Sequence, residues 1–93
     1  MEFNRADRLN EIAWGFYENT DDETLLKKAA AWAEKSIKIN SSYYNNDTAA
    51  ALYFKLKNKQ KAKEFAVKAI ELAKKFGNPY DETSKLLGQI EAM

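Results

Sequence analysis

The side chains that could do chemistry in this 93-residue chain are carboxylates, amines, hydroxyls and aromatics, because it contains neither cysteine nor histidine. That composition removes thiolate nucleophiles, zinc-thiolate sites, Ser-His and Cys-His pairs, and the side chain that most often acts as general base near neutral pH. Asp21-Asp22-Glu23 is a dense acidic run. Calcium would need alternating oxygen ligands, a central glycine and a closing glutamate, and this run lacks that pattern, so helix capping is the better reading. Lys55, Lys57, Lys59, Lys61 and Lys63 invite comparison with a phosphate-binding surface. A helix scatters alternate residues around its cylinder, however, and Glu64-Lys68 and Glu71-Lys75 are ordinary i,i+4 pairs. The series reads as a solvated surface with no nucleic acid as partner. No glycine-rich phosphate loop, nucleophile elbow or paired-carboxylate motif is present, so the chain is read as non-enzymatic, with no metal and no cofactor.

Any remaining function must come from surfaces, and surfaces depend on the elements that carry them. Apolar residues make up 45% and charged residues 31%, while glycine (3) and proline (1) are scarce. That balance predicts helices joined by short turns. A chain this short buries only roughly 60–65% of the surface its unfolded form exposes, which predicts modest stability. Net charge is +1, but its signs are segregated. Glu2, Asp7, Glu11, Glu18, Asp21, Asp22 and Glu23 crowd the first quarter of the chain, and the lysines crowd residues 55–75. No apolar run approaches the roughly 18 residues that would span a bilayer, and the opening residues lack the order of a signal peptide, so no membrane partner is expected.

Periodicity and punctuation predict five helices, about 4–19, 23–39, 46–57, 60–76 and 79–91. The first carries Leu9, Ile12, Ala13, Phe16 and Tyr17 at helical spacing. Asp21 or Asp22 is placed to cap the second, and Gly77 stands where a left-handed C-cap ends the fourth. Asn78-Pro79 reads as an N-cap and first-turn proline for the fifth. The expected fold is all-α, with antiparallel hairpins in sequence.

An internal repeat refines that picture. Ala29-x3-Ala33-x2-Ser36-Ile37-x-Ile39 matches Ala62-x3-Ala66-x2-Ala69-Ile70-x-Leu72 at an offset of 33 residues, and Leu9-x2-Ile12-Ala13-x2-Phe16 pairs with Asn46-x2-Ala49-Ala50-x2-Tyr53. Leu87-Gly88 recurs in the fifth segment. On these residues the chain resembles the tetratricopeptide-repeat family, best over residues 43–76, through Ala49-Ala50, Tyr53, Ala62, Ala66 and Ala69-Ile70. The resemblance implies two repeats (about 4–40 and 43–76) and a capping helix (about 79–91). It departs from the family pattern in about four extra residues between Asn19 and Thr24, in Asn46 at a bulky position, and in the missing repeat-closing proline.

In that family the first helix of each hairpin lines a concave groove for a protein or peptide. Carried over by phase, the lining is Asp7, Asn10, Trp14, Tyr17 and Glu18, then Tyr44, Asp47, Ala51, Phe54 and Lys55, then Glu82, Lys85 and Gln89. Aromatics give large contact area at low entropic cost, so Trp14, Tyr17, Tyr44 and Phe54 are candidate anchors, or else core residues covering the ends of a short stack. The positions that grip a C-terminal carboxylate in some family members hold Asp47 and Ala51, so that activity is not implied; a ligand with apolar and basic groups is.

A narrower likeness lies in Asn10-Glu11-Ile12-Ala13-Trp14-Gly15-Phe16-Tyr17-Glu18, Ala31-Trp32-Ala33-x2-Ser36-Ile37 and Asp47-Thr48-x-Ala50. These look like the helical region after the thioredoxin-like domain of some exported bacterial proteins. That likeness implies an accessory or dimerisation domain, periplasmic if cut from such a parent; the residues alone leave the compartment open, cytoplasmic or otherwise.

Overall fold

The computed structural model describes residues 3–93, with side-chain surroundings from Arg5 onward; Met1 and Glu2 lie outside the described residues. Within them the chain forms five helices, α1 (Phe3–Asn19), α2 (Glu23–Ile39), α3 (Tyr43–Lys55), α4 (Lys59–Phe76) and α5 (Asp81–Glu91), and no strand. None is long and apolar enough to cross a membrane.

Local chemistry sets most of the boundaries. The Asp22 carboxylate accepts from the Leu25 amide at the start of α2, and Asn58 does the same for Lys61 at the start of α4. Gly77 closes α4 in the left-handed region at φ 74°, a conformation that glycine adopts without steric cost.

Two helix starts differ from expectation by more than one residue. Helix α3 begins at Tyr43, three residues before the expected start, because Ser42 and Asn45 form a reciprocal capping box. Helix α5 begins at Asp81; Tyr80 occupies its N-cap without a side-chain bond, so Asn78 does not cap it and Pro79 precedes its first turn. The extra residues in the first hairpin also fall elsewhere than expected. Both intra-hairpin connections, 20–22 and 56–58, have the same length, so the surplus is helical. It adds about one turn, close to the 3.6-residue period, which preserves the facing of the side chains.

Alanine makes the packing possible. Ala13, Ala29, Ala33, Ala49, Ala50, Ala62, Ala66, Ala69 and Ala73 are all fully buried, and among the described residues only Leu52 and Ile90 are large apolar side chains shielded to the same degree. Small side chains let helix backbones approach closely, and the aromatics then fill the spaces alongside. The two hairpins do this in the same way: Phe16 meets Trp32 at 5.3 Å between ring centroids, and Tyr53 meets Phe65 at 5.8 Å. These pairs sit at equivalent places in the two repeats.

Each helix packs on its sequence neighbours. In addition, α3 touches α1 and α5, while the backbones of α1 and α2 stay apart from those of α4 and α5, and the Glu34–Lys61 ion pair bridges α2 to α4 through side chains. The chain is thus an open stack measuring 39 × 32 × 19 Å, in which the first helix of each unit lies against the hairpin before it. Helix α5 follows the same rule, with Thr83 and Ile90 buried beside half-buried Leu86 and Leu87. Of the Leu87-Gly88 pair, Leu87 is half-buried and Gly88 exposed.

Candidate partner-binding groove

Helices α1 and α3 lie side by side, and their outward faces border a groove of about 300 Å³ lined by Asn10, Glu11, Trp14, Tyr44, Asp47 and Thr48. Spacing explains the membership. Asn10, Glu11 and Trp14 share one face of α1, and Tyr44, Asp47 and Thr48 share one face of α3. Tyr44 is 62% exposed, a high value for a large aromatic ring, and is held edge-on to Tyr43 at 5.3 Å. Trp14 stacks on Tyr17 at 4.7 Å between ring centroids. The Thr48 hydroxyl donates to the Tyr44 carbonyl at 2.9 Å, one turn back along α3.

Two features of the polar lining are unusual. Oδ1 of Asn10 is buried and accepts no hydrogen bond, the one such side-chain atom among the described residues. An unmade bond of this kind costs about 1–3 kcal/mol. Asp47 ends a short chain of hydroxyls: Thr83 on α5, fully buried, donates to Asp47 Oδ1 at 2.7 Å, and its oxygen sits 2.8 Å from the Tyr43 hydroxyl. Because the threonine proton points to the carboxylate, Tyr43 is the donor to Thr83. Burial raises the Asp47 pKa above the usual carboxylate value, the Thr83 bond opposes that shift, and the nearby Glu82 adds to it. Burial likewise raises Tyr43, with Thr83 acting in the opposite direction and Asp47, Tyr44 and Glu82 reinforcing the rise.

The structure brings together four of the residues singled out by phase: Asn10, Trp14, Tyr44 and Asp47. Others have different surroundings. Phe54 packs on the Ala50, Ala62, Ala66 and Ile90 cluster beside Leu86 and Leu87, which makes it a core residue under α5. Tyr17 packs partly into the Ala13, Ala30 and Leu52 cluster. Lys55 reaches back to the end of α1, where its amine donates to the Tyr17 and Thr20 carbonyls, lies 4.7 Å above the Tyr17 ring and meets Asp21 at 3.2 Å. That amine is committed to closing α1, whose last carbonyls lack helical partners. Asp7, Glu18 and Lys85 are exposed and outside the groove lining, and so are Glu82 and Gln89; Ala51 is buried.

Glu11 and Thr48 line the groove although the phase comparison passed over them, and both follow from helical spacing, at i+3 before Trp14 and i+4 after Tyr44. The Tyr43–Thr83–Asp47 chain had no such signal, since it joins residues about 40 positions apart.

On the second face of the stack, a cleft of about 520 Å³ is lined by Lys27, Ala31, Glu34, Lys35, Lys38 and Tyr53. The Tyr53 hydroxyl donates to Glu34, which also meets Lys61 at 3.6 Å. Burial, then the bond to Glu34, drives the Tyr53 pKa well above the ordinary phenol value. Glu34 is therefore already neutralised within the fold. Among the described residues no three carboxylates converge to hold a metal ion.

No family model matches this chain, and no curated protein or solved structure matches it either.

Proposed function

We propose that this chain is a non-catalytic interaction module of tetratricopeptide-like architecture that holds a segment of a partner protein in the groove between α1 and α3. The observation that carries the reading is the pairing of Trp14 with the largely exposed Tyr44 across one groove, above an asparagine oxygen that has no partner. Aromatic anchors in a concave site with a few polar groups are the usual make-up of a binding hot spot. The open order of the stack and the equivalent Phe16–Trp32 and Tyr53–Phe65 pairs support the repeat reading.

Capture of binding proteins on immobilised chain, compared across wild type, Trp14→Ala, Tyr44→Ala and Lys85→Ala, tests it. Both aromatic variants should lose captured protein by about tenfold or more while Lys85→Ala keeps it. Equal capture by all four folded proteins would overturn the groove assignment.

A second reading, an accessory or dimerisation domain, draws on a different face. Ile12 (44% exposed) and Leu25 (36%) border a hollow of about 450 Å³ with Gly15, Phe16, Asn19 and Thr20, beside the α1–α2 turn at the uncovered first end of the stack. Short helical arrays leave such ends uncovered. Sedimentation equilibrium of wild type and Ile12→Asp separates the readings: a wild-type dimer lost in the variant favours association through this end, and a monomer in both favours the groove.

A further inference from the structure

The groove between α1 and α3 has a charge and ring pattern that selects one kind of anchor. We infer that its ligand is an arginine side chain of the partner protein, seated between Trp14 and Tyr44 and facing Glu11 and Asp47. This rests on the interaction-module reading and adds the chemistry of what is held.

Charge is the first argument. The six lining residues include two carboxylates and no lysine or arginine. Glu82 lies close enough to repel charge on Asp47, which adds to the negative field there, while beside Glu11 on α1 the charges of Asp7 at i−4 and Arg8 at i−3 offset one another. Lys55 is the only lysine of α3, and its amine is turned to the α1 carbonyls at the other end of the helix pair. An acidic ligand, or a peptide gripped by its terminal carboxylate, would meet like charge here. A cation meets complementary charge.

Ring geometry is the second. A cation over an aromatic face is attracted by the ring quadrupole, most strongly at tryptophan. Guanidinium adds planar stacking and five fixed donors, and it gives up its water more readily than an ammonium group. A slot bordered by the Trp14 and Tyr44 rings suits a flat cation better than a compact one.

The unsatisfied oxygen is the third. Asn10 lines the groove, and its buried Oδ1 has no donor within the fold. A guanidinium has donors enough to meet this oxygen together with a carboxylate.

The chain has two tryptophans, Trp14 in the groove and Trp32 against Phe16, so their indole N–H signals give a site probe and an internal control. The ligands are acetylated, amidated pentapeptides of alanine with arginine, lysine or citrulline at the centre, titrated into the labelled 93-residue chain and followed by NMR. The arginine peptide should shift Trp14 and leave Trp32 in place. The citrulline peptide, of the same shape but neutral, should bind about tenfold more weakly, and lysine should fall between them. Glu11→Gln, at an exposed position, should weaken arginine binding by about threefold to tenfold.

Equal shifts of Trp14 by the arginine and citrulline peptides would overturn the charge argument and leave the groove standing. Shifts spread over the exposed acidic residues with Trp14 unmoved would reduce the effect to diffuse attraction and overturn the inference. No shift at up to about 10 mM arginine peptide, weaker than the millimolar range expected of one anchored side chain, would also overturn it. Capture of a whole partner through Trp14 and Tyr44 would still be judged by its own assay.

Discussion

The hydroxyl of Ser36 on α2 donates to the backbone carbonyl of Ala6 on α1 at 2.6 Å, and its oxygen accepts from the Asn45 side-chain amide on α3 at 3.0 Å. One fully buried side chain thus joins three helices. Its counterpart in the second repeat, Ala69, has no hydroxyl, so the first hairpin carries a polar tie that the second lacks.

Ser36→Ala should destabilise the chain by about 1–2 kcal/mol, because the Asn45 amide keeps its 2.7 Å bond to the Asn40 carbonyl and only part of the network is lost. Ser36→Val adds bulk against the backbone of α1 and should cost more, about 2–3 kcal/mol. Urea denaturation followed by far-UV circular dichroism ranks them, and an alanine variant as stable as wild type would show that the tie contributes nothing net.

Lys55→Met should cost about 1–2 kcal/mol, since the Lys55 side chain is 26% exposed and its amine serves two carbonyls at the end of α1 as well as the Tyr17 ring. Its ion pair with Asp21 is a different matter: that carboxylate is 95% exposed, and solvent screens it. Asp21→Asn should leave the denaturation midpoint where it is. Equal losses in the two variants would assign the effect to the ion pair.

Most of the fold could be read from the sequence, because buried alanines at fixed spacing and the Asp22, Asn58 and Gly77 caps signal locally. The start of α3 escaped for a physical reason. Asn45 and Asn46 look like loop residues, but both are buried, with their amides bonded to Ser36, Asn40, Ser41 and Ser42. Half of the groove was legible as well, since helical phase selects a face. Phase does not say where a long side chain ends, and so Lys55 was grouped with the groove although its amine lies at the end of α1. Nor does it give the angle at which α5 covers Phe54.

Asp47 makes stability depend on pH. Its folded pKa is raised by burial, so the folded chain holds this proton more tightly than the unfolded chain, in which the carboxyl titrates near 3.8. The contribution is fully present below that value and is lost as pH rises through the folded pKa. Wild type should therefore lose stability relative to Asp47→Asn as pH goes from about 3 to 7, because the amide keeps an acceptor for Thr83 without a charge. Urea midpoints of both proteins across that range check it; a gap that stays constant or changes in the opposite sense contradicts the burial of the carboxylate.

Glycine substitutions should have opposite signs at two places. Gly77→Ala forces a side chain into the left-handed region and should cost about 1 kcal/mol. Gly88 lies within α5, and a methyl group there would meet nothing within 4 Å, so Gly88→Ala should gain about 0.5–1 kcal/mol. Thermal melts of the two variants decide this directly.

Helix α3 is the only element that touches both ends of the stack. Its 13 residues consequently carry most of the contact between the hairpin that supplies Trp14 and the helix that anchors Asp47 through Thr83, with the partly exposed Glu34–Lys61 pair as a side-chain bridge from α2 to α4. Anything that loosens α3 would therefore weaken the coupling between the α1–α3 groove and α5, and anything that stiffens it would strengthen that coupling.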